Sequence, residues 1–377
     1  MTGDNAYTEL AAASVCGLAP YEPGKPPEAL EREYGVRDAI KLASNENPFG
    51  AADSVRAAMR DAIDNVRLYP DGAGFALCKA LSQHLGVDPA QLTLGNGSND
   101  ILVLLAECFL TPETSAVYDR YSFVVYRLAV QATGAEARIA SSNAPDHAQP
   151  FGHDLDAMLA LVDETTRLVF IANPNNPTGT WVDSEMLHDF LRALPDHVIA
   201  VVDEAYYEYA VGEDYPDTLT WLDQFPNLVI LRTFSKAYGL AGLRVGYGIS
   251  APGIAELLNR VRQPFNVNSV AQAAAVQALA EQDWVENCRA NNRHCMDGLR
   301  TGLEALGIAC LPSRGNFLLA YVGSRAADCN EYLLRAGVIV RPVANYGLPE
   351  YLRITVGGEQ DIACLLEALA EFMGKGA

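Results

Sequence analysis

The sequence contains no long apolar run, no paired-cysteine spacing and no excess of basic residues, and each absence removes a class of function. No window approaches the roughly 18 uninterrupted apolar residues that a bilayer span needs. The opening stretch "MTGDNAYTELAAASVCGLAPYEPGKPP" has no basic segment leading into an apolar one. No membrane partner is therefore expected. Eight cysteines occur, at 16, 78, 108, 288, 295, 310, 329 and 364, but none forms a CxxC pair. Several fall in apolar helical patterns such as "AECFL" and "IACLLEAL". They read as reduced thiols, and the expected location is the cytoplasm. Lysine and arginine total 27 against 47 aspartates and glutamates, a net charge of −20. Such a surface repels phosphate backbones, so nucleic acid is not an expected partner. Any anionic ligand needs a locally basic pocket. The six histidines lack metal-ligand spacing and no HExxH occurs, so no metal is expected. No GxxxxGK[ST] loop is present either.

What is present is an ordinary globular composition, 50% hydrophobic and 20% charged over 377 residues. That length suits roughly two domains. Short apolar runs alternate with helical patterns: "QLTLG" (91–95), "SAVYD" (115–119), "RLVFIANP" (167–174), "HVIAVVDEAY" (197–206), "LVILRTF" (228–234) and "LRVGYGIS" (243–250). Continuous runs such as "VIAVV" suit strands covered on both faces. Beyond about 270 a long helical stretch (268–307) leads into "NFLLAYV", "GVIVRPV" and "YLRITVG", with helices at 326–336 and 359–373. The expected fold class is α/β: a large domain with a mainly parallel sheet flanked by helices, plus a smaller α+β domain. The expected division is an N-terminal arm at 1–40, a large cofactor-binding domain at 41–270 and a small C-terminal domain at 271–377, to which the arm contributes.

In open parallel sheets, ligands sit beyond the carboxyl ends of the strands. Four polar segments fall there: "NGSND", "NPNNPTG", "DEAYYEY" and "TFSK". Lys236 follows a buried strand among small and apolar residues. Desolvation lowers a lysine pKa, and a neutral amine attacks a carbonyl to form a Schiff base. Asp203 ends the strand "VIAVVD". It reads either as a helix cap or as a counter-ion for a pyridinium nitrogen. A lysine and a buried acid at two strand ends fit pyridoxal 5'-phosphate better than other common cofactors. "GNGSND" opens a helix, where backbone N–H groups and the helix dipole attract an anion, with Ser98 as a further donor. Ser235 and Arg244 complete a candidate phosphate cradle. A dinucleotide fingerprint fails there, because its third glycine is Asp100. Asn176 and Tyr206 are candidate donors to a ring oxygen, and Tyr121 is a candidate ring stack or core residue. Arg353 in "YLRITVG" is an arginine inside an apolar strand. It faces either solvent or a substrate carboxylate, and Arg341 poses the same question.

With these residues placed, the sequence resembles the fold-type I aminotransferases that depend on pyridoxal 5'-phosphate. The segments "NPNNPTG" and "RTFSKAYGLAGLRVGY" carry that resemblance, while "LASNENPFG", "LYPDG" and "RQPFNVNS" point to its histidinol-phosphate branch. The matching segments run from 21 to 357. The resemblance implies amino transfer between histidinol phosphate, or an aromatic amino acid, and 2-oxoglutarate, within histidine biosynthesis. Lys236 would hold the cofactor and act as general base, with Asp203 at the ring nitrogen and Asn176 and Tyr206 at the ring oxygen. Tyr121 would stack on the ring. Ser98, Asn99, Thr233, Ser235 and Arg244 would surround the phosphate. Tyr69 would reach the cofactor phosphate of a second subunit, which implies a homodimer. Tyr21, Asn45, Arg353 and Arg341 would lie at the substrate. An aromatic amino-acid aminotransferase and an amino-acid-phosphate decarboxylase share the motif set and stay open as alternatives.

Overall fold

The computed structural model describes residues 7–21, 23–212 and 214–374. Residues 1–6 of the expected arm and 375–377 of the expected small domain lie outside the described residues. Seven strands make the large sheet: β1 (Leu92–Gly95), β2 (Ser115–Asp119), β3 (Glu136–Ala140), β4 (Thr166–Ala172), β5 (Ile199–Asp203), β6 (Leu228–Thr233) and β7 (Gly246–Ser250). Their order is β1-β7-β6-β5-β4-β2-β3. Only β7 runs against its neighbours; the remaining pairs are parallel.

The continuous apolar runs are explained by period two. In β6, Leu228 and Ile230 join one apolar cluster and Val229 and Leu231 the other. Helices Ser98–Phe109 and Val124–Thr133 cover one face through Ile101, Leu102, Leu105 and Val130. Helices Ser184–Ala193 and Ser269–Ala280 cover the other through Leu187, Phe190, Ala271 and Ala275. Each fully buried aliphatic contributes about 1.5–3 kcal/mol, so a strand wet on neither face must be apolar on both. Strand β3, "EARIA", is absent from the sequence reading. It is an edge strand with only Ala140 buried and Arg138 paired to Glu136 and Asp163, so it carries the charges that edges tolerate.

The helical stretch expected over 268–307 is two helices, Ser269–Ala280 and Gln282–Ala305, separated at Glu281 with φ −101° and ψ 49°. The first packs on the large sheet. The second covers a four-stranded antiparallel sheet of β8 (Ala309–Cys310), β9 (Phe317–Tyr321), β10 (Arg341–Pro342) and β11 (Tyr351–Thr355) through Met296, Leu299 and Leu303. The run "GVIVRPV" is not one strand. Val338–Ile339 pairs with Ile40–Lys41, and Arg341–Pro342 pairs with β11 at the sheet edge, where a proline without N–H is tolerated. Leu318, Ala320, Leu352 and Ile354 face the helices. Arg353 pairs across the strands with Leu319 on the opposite face. Period two thus turns Arg353 away from the helices and toward the large sheet.

Candidate active site

The carboxyl ends of β5 and β6 and the start of helix Ser98–Phe109 border one cleft of about 790 Å³. Ser98, Asn99, Asn176, Asp203, Tyr206, Thr233, Ser235, Lys236, Arg244 and Tyr21 all line it. Four segments far apart in sequence meet there because β1, β4, β5 and β6 end on the same side of the sheet.

Lys236 enters from the turn after β6. Its Nζ donates to Ser44 O at 3.3 Å and lies 5.5 Å from the centre of the Tyr206 ring. Burial pushes its pKa down to about 8, and the positive Arg353 and Arg244 push the same way against Glu46 and Asp203. A substantial neutral fraction is therefore present near neutral pH.

Asp203 ends β5. Its Oδ2 accepts from the Tyr126 hydroxyl at 3.0 Å, while Oδ1 is buried with no partner. Burial raises its carboxyl to about 6, opposed by the Tyr126 and Ala205 hydrogen bonds and by Lys236, and reinforced by Glu204. A buried carboxylate oxygen without a donor is costly. A protonated ring nitrogen supplies the missing donor.

The other end of the cleft is built for an anion. Gly97 has φ +84°, and a Cβ there would lie 2.5 Å from Arg244 Nη2. A Cβ on Gly246 would lie 2.4 Å from Ser98 N. Only glycines allow this close approach of backbone and guanidinium at a helix N-terminus. Arg244 itself has φ 56°, and its Nη1 donates to Ser235 Oγ at 3.3 Å and Ala241 O at 3.1 Å. The Thr233 hydroxyl donates to Ser235 Oγ at 3.1 Å. An anion cradle, a depressed lysine and an unsatisfied acid fit a group with a phosphate, a carbonyl and a ring nitrogen. Pyridoxal 5'-phosphate is such a group.

Between these ends, Asn45 Nδ2 donates to the Tyr206 hydroxyl at 2.9 Å, which leaves the tyrosine hydrogen free to point into the cleft. Asn45 is 1% exposed and stands behind Tyr206 rather than in the wall. Arg353 is also buried behind the wall. Its Nη1 donates to Asn176 Oδ1 at 2.5 Å and its Nη2 to Ala43 O at 2.6 Å, while Nε has no partner. Engaging the Asn176 carbonyl this way directs that residue's N–H donors toward the cleft. Arg341 lies near enough to Arg353 to lower its pKa, though burial is the larger cause. Tyr121 packs edge-on against Phe151 at 5.4 Å, and its neighbour Phe123 stands in the cleft wall. Tyr69 is 83% exposed and stacks on Phe265 at 4.8 Å, outside the cleft of its own chain.

The model for aminotransferase class I and II matches residues 37–369. The chain belongs to this family. It is 51% identical to histidinol-phosphate aminotransferase 2 of Pseudomonas fluorescens strain Pf0-1 over 372 residues, 98% of this chain and 99% of that protein. It is 52% identical to histidinol-phosphate aminotransferase 2 of Methylococcus capsulatus over 362 residues, 96% of this chain and 98% of that protein. The crystal structure of the Sinorhizobium meliloti histidinol-phosphate aminotransferase in complex with pyridoxal-5'-phosphate superposes with a TM-score of 0.88 at 31% identity. That alignment covers 97% of this chain and 98% of the other.

In this class I and II aminotransferase, the residues missing from the sequence reading lie behind the cleft. Tyr126 bonds Asp203. Asn316 is 1% exposed and donates to Asn45 O at 3.0 Å. Arg232 and Glu204 form a buried ion pair at 2.8 Å, with Thr218 donating to Glu204 at 2.6 Å. Glu204 follows Asp203 and Arg232 precedes Thr233, so the pair ties together the two strand ends that border the cleft. The signal was an arginine inside "LVILRTF" and a second acid in "VVDEA". Among the described residues, no group of three or more His, Cys, Asp or Glu could hold a metal.

Proposed function

We propose that this chain moves the amino group of histidinol phosphate to 2-oxoglutarate with pyridoxal 5'-phosphate held at Lys236. The carrying observation is one cleft that joins Lys236, the unpartnered Asp203 Oδ1 and the Ser98–Ser235–Arg244 anion cradle. The relatives from Pseudomonas fluorescens and Methylococcus capsulatus are named histidinol-phosphate aminotransferases and share about half identity over nearly the whole chain.

When bound, the cofactor supplies an electrophilic carbon and a ring that stores the electrons left on the substrate carbon. The protein does the rest. Ser98, Ser235, Thr233, Arg244 and the N–H groups around Asn99 bind the phosphate. Asp203 Oδ1 would accept the ring N–H and keep that proton in place. Tyr206 and Asn176 point donors at the ring oxygen. Lys236 Nζ would hold the cofactor and, as a free amine, would carry the proton of the substrate's amine-bearing carbon. Tyr21 in the cleft wall would meet the substrate, with Asn45 and Arg353 behind the wall and Arg341 beside Arg353 supplying positive charge to it. Tyr121 covers the ring from the loop that also carries Phe123.

Two apolar clusters on the large sheet and a separate one on the small sheet support a large domain at 41–270 and a small C-terminal one, and Ile40 at the end of the arm and Leu42 just beyond it pack with the second. Helix Ser269–Ala280 belongs with the large core. We assign the enzyme to the cytoplasm, where eight unpaired cysteines stay reduced. No helix among the described residues is long and apolar enough to cross a membrane.

A homodimer completes the reading. Tyr69 stands exposed with Ile63, Val66, Leu68 and Phe75, apolar side chains of one short stretch that a second copy would cover. Tyr69 would then reach the partner's cradle. Mixing inactive Tyr69→Ala and Lys236→Ala variants is expected to restore activity, because heterodimers hold one intact site. No recovery after confirmed subunit exchange would count against a shared site.

Single-turnover rates across a donor panel test the reaction itself. Histidinol phosphate is expected to be the fastest donor, with phenylalanine and tyrosine slower but measurable, and steady turnover to need a 2-oxo acid. A faster rate for phenylalanine would move the function to aromatic amino acids. Carbon dioxide release without an acceptor would make the enzyme a decarboxylase.

A further inference from the structure

We infer that Tyr126 is a positioning residue for this reaction: its hydroxyl fixes which oxygen of Asp203 meets the cofactor nitrogen. The inference rests on the cofactor reading above. Tyr126 is wholly buried on helix Val124–Thr133 and does not line the cleft. Its hydroxyl donates to Asp203 Oδ2 at 3.0 Å, which leaves Oδ1 unpartnered. Any effect it has on chemistry passes through Asp203.

The ring is held from two sides. It stacks on Phe170 of β4 at 4.9 Å and 12°, and Phe123 meets it edge-on at 6.0 Å and 88°. Phe123 also lines the cleft, so the clamp continues to the cleft wall. Packing alone asks only for a phenylalanine at this position, because stacked and edge contacts involve the ring and not the hydroxyl. Burying a hydroxyl costs free energy unless it finds a partner, and the partner here is the acid at the end of β5.

The two oxygens of a carboxylate are equivalent until their surroundings distinguish them. A donor on Oδ2 fixes the carboxylate plane and leaves Oδ1 for the ring N–H. It also opposes the burial that raises this acid. Without the hydroxyl, the proton shared between ring and carboxylate moves toward the carboxylate. The ring then withdraws electrons less strongly. Burial holds the Tyr126 phenol well above its usual pKa, so it stays a donor at all working pH values.

The test is Tyr126→Phe in the holoenzyme, with three readouts. The value of kcat is expected to fall about 10- to 100-fold, the range for losing a partner that orients a directly acting group, with KM for histidinol phosphate changed less than about threefold. The affinity of the apo-protein for pyridoxal 5'-phosphate is expected to weaken by about tenfold. The pH midpoint of the visible absorbance band is expected to rise by about one unit. In an Asp203→Asn background the same substitution is expected to add little, because the two residues act as one unit. A fluorinated tyrosine incorporated at 126 keeps the volume and strengthens the donor, so it should move the midpoint downward. It also serves as the test should Tyr126→Phe fold poorly. A purely structural tyrosine would lower the melting temperature and leave midpoint, affinity and kcat unchanged, which overturns the inference. A wild-type protein that neither binds pyridoxal 5'-phosphate nor transfers an amino group overturns the function reading instead.

Discussion

Replacing Lys236 by alanine is expected to lower kcat by about 10⁴-fold or more, the largest effect of any single substitution in the cleft. Two functions are lost together. The amine that holds the cofactor disappears, and so does the base that carries a proton between neighbouring carbons. The upper end of general acid–base catalysis alone is about 10⁴-fold, and the lost covalent attachment adds to it. The fold should survive. The Lys236 amine donates to a single carbonyl, Ser44 O, and its removal leaves the Ser235–Arg244 cradle in place. The variant is therefore expected to melt near the wild-type temperature and still to bind the cofactor reversibly. The wild type carries a second signature. Burial lowers the Lys236 pKa to about 8, and the neutral form is the base. The lysine is a free amine only in the complex with substrate, so kcat should rise with pH and level off above about 8. A steady-state pH series on the wild type and a melting curve of the variant check both points.

Arg353→Leu is expected to cost roughly 2–5 kcal/mol in each half-reaction, or about 30-fold to several thousand-fold in kcat/KM. Glutamate brings a second carboxylate and histidinol phosphate brings a phosphate. Both are anions approaching a chain of net charge −20, so a local positive charge must receive them. The Arg353 fork is engaged by Asn176 Oδ1 and Ala43 O, with Nε spare. Its removal therefore also frees Asn176 to turn away from the ring oxygen. Leucine would leave the buried Ala43 carbonyl without this donor, an additional cost of about 1–3 kcal/mol that falls on the fold rather than on the substrate. Arg353→Lys separates the two effects. It keeps the charge but not the planar fork, so activity should recover only in part. Single-turnover rates with glutamate and with histidinol phosphate decide the matter. An Arg353→Leu enzyme with wild-type rates for both would remove the residue from the substrate site.

The buried strands were legible because β4, β5 and β6 are covered on both faces and so read as unbroken apolar runs. The polar segments at their ends were legible for the same reason: a lysine or an aspartate stands out where the run stops. Strand β3 was not legible, because an edge strand with one buried residue has no such contrast. The break at Glu281 was hidden since both flanking segments favour helix, and only the change of packing partner from the large sheet to the small one requires a bend. For Arg353 the sequence left two faces open. Register decides it, since Arg353 pairs with Leu319 on the side away from the helices. The roles of Tyr126 and Asn316 were not legible because a tyrosine in an apolar helix and an asparagine in a turn are ordinary in sequence. Their meaning lies in contacts with Asp203, 77 residues away, and with Asn45, 271 residues away.

The central claim is that Lys236 carries the cofactor. Purified holoenzyme should absorb in the visible, and borohydride should fix pyridoxal 5'-phosphate to one lysine. Peptide mapping is predicted to find the adduct on Lys236. An adduct on Lys41 or Lys79, or no adduct in a protein that retains its fold, would contradict the account.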